Sequence, residues 1–515
     1  MTIRRISSQR VSQQRNTLSQ KVDLPAPVGG LNTRDNRGDM EITDAIILQN
    51  WIPANEAVTS RDGYSVWADD VSGEVESLMP YISGTTSQLL AASDGNIYEL
   101  DTIASGTSTS IASGKTNARW QHVNFNSYLL ICNGEDAPLG WDGSSFTTLT
   151  YSGDLNTYGE EKMDGIHAHK NRVYMWDTDT SNFYYGGTDA IQGAFSVFPL
   201  GVVSDTGGNL IIMQTISFDS GFGVDDLAVF ILSTGETLLY QGSDPSDASN
   251  WSLVGKYMLP PPLSVRSAVK FGGDVKVITQ ADAISIMEFI RSEGTQTATK
   301  RLSKISGSIK TESALNKSKY GWQAIWHSAI DLIIYNVPNT EGETYVQYVT
   351  NTSTGASSKF TGWNARCFAL WNNELYFGGD TFVYKAFDTD SDNGSDISLI
   401  AQPAFTTLGI SRDKRIIGHE QLLGSDGNID VGLSIAFNYG DTSTPSTSSS
   451  PVSGALWDVT YWDTAQWSGA GEVRIKRFLI TGTGLSVSAK TNIKISGQTL
   501  TWYRSTYIFD VMATR

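Results

Sequence analysis

The chain has 515 residues, with 37 Lys and Arg against 54 Asp and Glu and a formal net charge of −17, enough length for a large core in more than one structural unit. Its two cysteines, Cys132 and Cys367, exclude a disulfide framework and read as buried free thiols of a protein made in a reducing compartment. The acidic balance argues against a nucleic-acid reader, which neutralises phosphates with clustered Lys and Arg; no segment reads as a secretory signal, and apolar runs such as Leu227 to Leu232 fall short of the ~18 residues of a membrane span.

Residues 1–22 come first. Arg4, Arg5, Arg10, Arg15 and Lys21, with no acid and little apolar content, read as a disordered basic arm, either a solvated tail or a docking element for a partner or nucleic acid. Residues 23–57 follow, where Thr43 is expected to cap a short helix from Asp44 to Gln49 that stops before Pro53. Next, pairs of short apolar runs separated by turn residues recur: LLAASDGNIYEL from Leu89, YLLICNGEDAPLGWDG from Tyr128, NRVYMWDTDTSNFYYGG from Asn171 and LAVFILSTGETLLYQG from Leu227. DVKVITQADAISIMEF from Asp274, DLIIYNVPNTEGETYVQYV from Asp331 and NELYFGGDTFVYKAF from Asn373 continue the series. Their starts lie roughly 40 to 57 residues apart, the length of a four-stranded blade. The fold class is therefore all-β, with a β-propeller of six or seven blades over residues 58–394 and a second short helix over Glu312 to Lys319. A two-sheet sandwich array gives similar hairpins and stays open at this point.

After residue 395 the strands lengthen and alternate, as in IDVGLSIAFNY from Ile429, RIKRFLITGTG from Arg474 and LTWYRSTYIFDV from Leu500, which predicts a C-terminal β-sandwich-like domain over 395–515. The polar stretch 441–454, DTSTPSTSSSPVSG, reads as a mobile loop within it.

Chemistry-bearing patterns are sparse. His167 and His169, two apart on an expected strand, share one face, but no nearby Cys or His completes a zinc set, and a structural pair is the better reading. Asp388 to Asp396 alternates acids like a calcium loop, yet Gly394 stands at the seventh position and no glutamate at the twelfth, so a turn is expected. Ser93-Asp94-Gly95 is only a fragment of the Asp-box of propeller sialidases. No nucleophile elbow, zincin pair or phosphate loop occurs, so no enzyme activity and no cofactor are expected. Trp457, Trp462 and Trp467 cluster beside the polar loop, either covering the sandwich core or offering a glycan or partner contact.

One segment is distinctive: PVGGLNTRDNRGDMEITDAIILQNWIPANEAVTSRDGY, from Pro27 to Tyr64. Through Gly29, Gly30, Leu31, Asn32, Arg34, Asp35, Met40, Ala45, Leu48, Asn50, Trp51, Pro53, Val58, Arg61, Gly63 and Tyr64 it resembles the N-terminal signature of the nozzle, or tail hub, proteins of short-tailed bacteriophages (podoviruses), often called DNA-stabilisation proteins. The run DTDSDNGSDISLIAQPAFTTLG, with Asp392, Asn393, Gly394 and Ile397, is a second and shorter likeness. The resemblance implies a structural virion protein at the tail tip, made in the host cytoplasm. It implies a ring of about six copies below portal and adaptor that extends the DNA channel, helps retain packaged double-stranded DNA and lets it pass on ejection, without sequence-specific binding. The partners implied are the tail adaptor, tail fibres or spikes and a needle or plug. No catalytic residue comes with it. A host-receptor or glycan-binding propeller, or a propeller glycosidase, are the alternative readings of the same residues.

Overall fold

A computed structural model describes residues 19–100, 108–219, 224–292, 302–427, 429–446 and 472–512. Strands dominate throughout, and they resolve into a ring of small sheets followed by two larger ones.

Each of the seven recurring hairpins supplies the second and third strands of one blade. Blade 1 runs Val75–Ser83, Thr86–Ser93, Asn96–Glu99 and Thr109–Ala112; blade 2 runs Gln121–Phe125, Tyr128–Cys132, Leu139–Trp141 and Phe146–Thr148. Blade 3 uses Gly165–His169, Arg172–Trp176, Asn182–Tyr185 and Gly193–Pro199, and blade 4 uses Leu210–Asp219, Val224–Leu232, Glu236–Gly242 and Trp251–Met258. Blade 5 has three strands, Ala268–Phe271, Asp274–Ile278 and Ala283–Ser285, with helix Ile286–Ser292 following the third. Blade 6 comprises Gln323–His327, Leu332–Thr340, Thr344–Asn351 and Ser357–Phe360. Blade 7 takes Cys367–Trp371, Glu374–Gly378 and Val383–Ala386 from late in the chain and its outermost strand, Tyr64–Ala68, from early in it.

The first strands of successive blades pack side by side from blade 1 to blade 7, and the first strand of blade 7 packs on that of blade 1. The ring is thus closed, with seven blades and no open edge at its joint. Turns with positive φ at two consecutive residues, Asn126-Ser127, Lys170-Asn171 and Asn372-Asn373, join first to second strands as tight hairpins that match strand twist. Between neighbouring blades lie separate apolar cores, such as Met79, Leu90, Trp120, Leu129 and Trp141 between blades 1 and 2.

The remaining strands build a two-sheet sandwich. One sheet has the order Glu472–Gly484, Lys414–Ser425, Leu500–Val511, Val58–Ser60, Trp51–Pro53, and Gln20–Pro25 also pairs with Leu500–Val511. The other orders Asp430–Phe437, Val487–Ile495, Ile397–Pro403 and Asp44–Gln49, and continues through Gln49 and Lys359 into the outer strand of blade 6. Propeller and sandwich therefore share a sheet.

Four local expectations change. Asp44–Gln49 is a strand, not a Thr43-capped helix: Ala45, Ile47, Leu48 and Gln49 pair with Pro403, Gln402, Ala401 and Ile400, a partner far away in sequence that outweighs the helical signal. The second helix spans Ser306–Asn316, starting earlier than Glu312. At the start of the chain, Gln20–Pro25 is a strand, so the last residues of the expected basic arm belong to the sandwich. Within the polar stretch, residues 441–446 run along the sandwich: Ser434 Oγ donates to Ser443 O and Asn492 Nδ2 to Pro445 O, at 3.0 Å each.

Candidate functional site

The Pro27–Tyr64 signature and the propeller axis are two places, among the described residues, where polar side chains converge. In the signature, Asn50 adopts φ 60°, a left-handed conformation that Asn tolerates. Its Nδ2 donates to Ser398 O (2.8 Å) and Thr361 Oγ1 (3.2 Å), while its Oδ1 accepts from Thr361 N (2.9 Å) and Arg61 Nε (3.0 Å). Arg61 is 1% exposed. Its two terminal nitrogens donate to both carboxylate oxygens of Asp392, at 2.7 and 2.6 Å, and also to Asp62 O and Thr361 O. The guanidinium lies over Trp363, 5.1 Å from the ring centroid. Trp51 is fully buried against Trp502, ring centroids 5.9 Å apart, and Pro53 O accepts from Asn351 Nδ2.

The first part of the signature is more open, with Asn32 and Leu31 buried but Arg34 and Asp35 at the surface. Asn32 donates to Asp44 (2.7 Å) and Asp35 (2.8 Å) and accepts from the backbone of Arg34 and Asp35. Arg34 holds Leu302 O and Asp35; that bond, with Asn32, pulls the Asp35 carboxyl down to about 2. Leu31 enters the sandwich core. A Cβ on Gly29 would meet Asp44 Oδ1 at 2.4 Å, one on Gly30 the Ser357 backbone at 2.6 Å, and one on Gly63 the Ser391 carbonyl at 1.9 Å. Gly30, Arg34, Asn50, Pro53 and Arg61 thus contact the propeller at its joint with the sandwich, while Gly29, Leu31, Asn32, Asp35 and Trp51 pack within the segment or the sandwich, and none of them lines the cavities at the axis.

At the axis, the sequence pattern gave no hint of Arg266, which precedes the first strand of blade 5. Its five N–H groups reach Glu76 O (2.9 Å), Ser77 Oγ (2.7 Å), Trp120 O (2.6 Å), Gln121 Oε1 (3.3 Å) and Tyr320 OH (2.6 Å). Blades 1 and 2 are the two farthest from blade 5 around a ring of seven, so this side chain spans the middle. On one side lies a cavity of about 530 Å³ at the mouth, lined by Asn117, Arg119, Asp164, Lys319 and Arg366 among others. On the other lies one of about 270 Å³ between the first strands, lined by His122, His167, Gln214 and Gln323.

Nothing here assembles a reaction centre among the described residues. Arg119 is paired with Glu76 and Glu341, and Arg366 with Glu74 and Asp380. Burial, then the nearby Arg266 charge, pulls His122 down to about 4; burial, then His169, pulls His167 to about 3. His167 Nε2 and His169 Nδ1 both meet Thr215 Oγ1, at 3.1 and 2.9 Å, so the pair shares one hydroxyl. Among the described residues no group of three or more His, Cys, Asp or Glu is placed to hold a metal. In the calcium-like run, Asp392 is engaged by Arg61, and Asp388 by Ser65 and Lys385. Asp94 and Gly95 form a tight turn with both φ positive. Cys132 and Cys367 are buried and unbridged, and burial pushes the Cys367 thiol up to about 12. Trp457, Trp462 and Trp467 lie outside the described residues.

No family model matches the sequence, and no curated protein matches it. Among solved structures, the chain is similar to YCF48 from Cyanidioschyzon merolae, at 10% identity over 65% of this chain and 98% of that one, with a TM-score of 0.32. It is also similar to Saccharomyces cerevisiae Sqt1, at 9% identity over 66% of this chain and 99% of that one, TM-score 0.37. A third is PorZ, a surface component of the type-IX secretion system of Porphyromonas gingivalis, at 10% identity over 66% of this chain and 42% of that one, TM-score 0.38. Likenesses at this level carry no functional inference; the propeller rests on the sheet order and the ring closure described above.

Proposed function

We propose that the chain is a non-enzymatic subunit of the tail nozzle of a short-tailed bacteriophage. In this reading about six copies form a ring at the tail tip, below portal and adaptor, which extends the DNA channel, helps retain packaged DNA and releases it on ejection. The ring meets the adaptor on one side and fibres or spikes, with a needle or plug, on the other. The observation that carries the reading is the use made of the signature residues: Asn50, Trp51, Arg61 and their neighbours join a propeller to a sandwich where the chain enters and leaves the ring. A subunit that must keep its shape around a pressurised channel needs such a joint, whereas an enzyme or a glycan binder would present those polar groups to a pocket.

The charge distribution supports the same reading. Residues 58–394 hold 20 Lys and Arg against 38 Asp and Glu, while residues 395–515 hold 10 of each. An acidic propeller repels phosphates, as a wall past which DNA slides must. Electron microscopy of the virion tests the proposal. The expected result is a ring of this propeller-plus-sandwich subunit around an axial channel at the tail tip; a protein absent from purified tails ends it.

A further inference from the structure

The outer face of the first sandwich sheet combines an unpaired strand edge with exposed apolar side chains. Strand Glu472–Gly484 stands at the end of its sheet, and no strand among the described residues pairs with its free edge. The register with Lys414–Ser425 sets Val473 opposite Gly424, Ile475 opposite Leu422, Arg477 opposite Glu420 and Leu479 opposite Gly418. Alternate residues of a strand share a face, so Val473, Ile475, Arg477 and Leu479 all point outward. Leu479 is 98% exposed, and Val473, Ile475 and Tyr503 are 54%, 51% and 40% exposed.

Two glycines flatten this face. A Cβ on Gly424 would lie 3.2 Å from the Tyr503 ring, and one on Gly418 would lie 3.4 Å from Ile508 Cδ1, so both side chains lie down across the central strand. The result is a shallow apolar strip interrupted by one ion triad, in which Glu420 Oε1 takes both Arg477 Nε (3.0 Å) and Lys21 Nζ (3.5 Å). Arg504, paired with Asp23, and Arg415, opposite Asp510, add to the charged groups of the face. Four cations thus meet three acids. Monomeric surfaces seldom leave a contiguous apolar strip beside a long open edge, because such an edge invites association.

We propose that this face is the docking surface for a second copy of the same chain, and that it seats on the acidic propeller flank of that copy. The argument is charge complementarity. The strip carries a surplus cation, while residues 58–394 of any other copy carry 20 basic residues against 38 acidic ones. Sandwich to propeller is a heterologous contact, the same two different surfaces meeting head to tail, and repetition with rotation closes it into a ring. The inference rests on the ring reading above and names the surface that makes the ring.

The test follows self-association of the full-length protein by sedimentation velocity and native mass spectrometry. Circular dichroism serves as the check on folding. Leu479→Asp, at a site with almost no contacts to lose, should fold normally and weaken association by about tenfold or more. Arg477→Glu should weaken it as well, and wild-type association should weaken as salt rises. A photo-cross-linking residue at position 479 should attach to propeller residues of another copy. Leu479→Asp associating like the wild type overturns the proposal but leaves the nozzle reading standing. A wild-type protein that stays monomeric at every concentration also overturns it, and its absence from tails would remove the nozzle reading separately.

Discussion

Arg61 and Asp392, separated by 331 positions in sequence, meet in a buried two-bond pair at 2.7 and 2.6 Å. Arg61 lies just before Tyr64–Ala68, the strand that closes blade 7, and Asp392 lies between the last other strand of that blade and sandwich strand Ile397–Pro403. The pair therefore clamps the point where the chain enters the propeller to the point where it leaves. A planar guanidinium matches the two carboxylate oxygens, and its stacking on Trp363 fixes the plane.

Removing either partner should be costly, because the other charge is left buried. Arg61→Ala and Asp392→Ala are each expected to lose about 3–5 kcal/mol of stability, and the double variant less than the sum of the two. Arg61→Lys should recover little, since one ammonium cannot reproduce five differently placed bonds. Urea unfolding of the four proteins checks this.

Arg266 makes a second testable joint. Arg266→Met keeps the bulk but removes the bonds to Glu76 O, Trp120 O, Ser77 and Tyr320, and since Tyr320 OH still donates to Glu76 O and Ser77 Oγ to Ala118 O, the cost is that of the lost bonds, about 0.5–1.5 kcal/mol each. A net loss of about 2–4 kcal/mol is expected on those grounds. The same change removes the positive charge that helps hold His122 at about 4, so its pKa should rise toward the ordinary value. Thermal unfolding and a histidine-resolved NMR titration read the two effects independently.

Acid sensitivity follows from three enclosed histidines, two beside the axial cavity and one in the sandwich interior. Burial holds His122 at about 4 and His167 and His419 at about 3, all below the ordinary value of about 6.5. The unfolded chain then binds more protons than the folded one below pH ~6.5, so this stability is present above that pH and lost as the pH falls. Each histidine contributes about 1.4 kcal/mol per pH unit through the window. Asp164, raised to about 6 by burial, works in the opposite direction between pH ~6 and ~4. The net expectation is a fall in urea midpoint from pH 6.5 to 4.5, made shallower by His167→Asn and steeper by Asp164→Asn.

The propeller was readable because its signals are local. Seven hairpins with tight turns and apolar pairs of runs mark the second and third strands of seven blades, and no distant partner is needed to recognise them. The sandwich was half readable. Its late strands alternate clearly, but Gln20–Pro25, Asp44–Gln49, Trp51–Pro53 and Val58–Ser60 join it only through partners several hundred residues away, and DAIILQ alone cannot distinguish one helical turn from a strand. The signature residues stood out by resemblance, yet their pattern could not reveal that Arg61 ends on Asp392. Arg266 was invisible, since a lone arginine after a proline run carries no periodicity, and only the ring brings blades 1 and 2 within its reach.

The sandwich interior carries the last prediction. His419 and Gln421 of Lys414–Ser425 and Ser505 of Leu500–Val511 are all buried, and both ring nitrogens, both amide atoms and the hydroxyl lack a hydrogen-bond partner among the described residues. Gln421 stands opposite Ser505 and His419 opposite Tyr507, whose ring it meets edge-on at 4.6 Å. These groups form a polar layer between two apolar clusters, one containing Ile416, Val487 and Phe509 and the other Leu423, Ile493 and Trp502. Buried polar groups without partners are costly, so replacing them by apolar groups of similar size should stabilise the domain. Gln421→Met is expected to add about 1–3 kcal/mol and His419→Phe a similar amount, with a higher thermal midpoint in each case. A fall in midpoint for both would mean that the layer is satisfied by something the isolated subunit binds, and mass measurement of the native wild-type protein against the double variant would then find it.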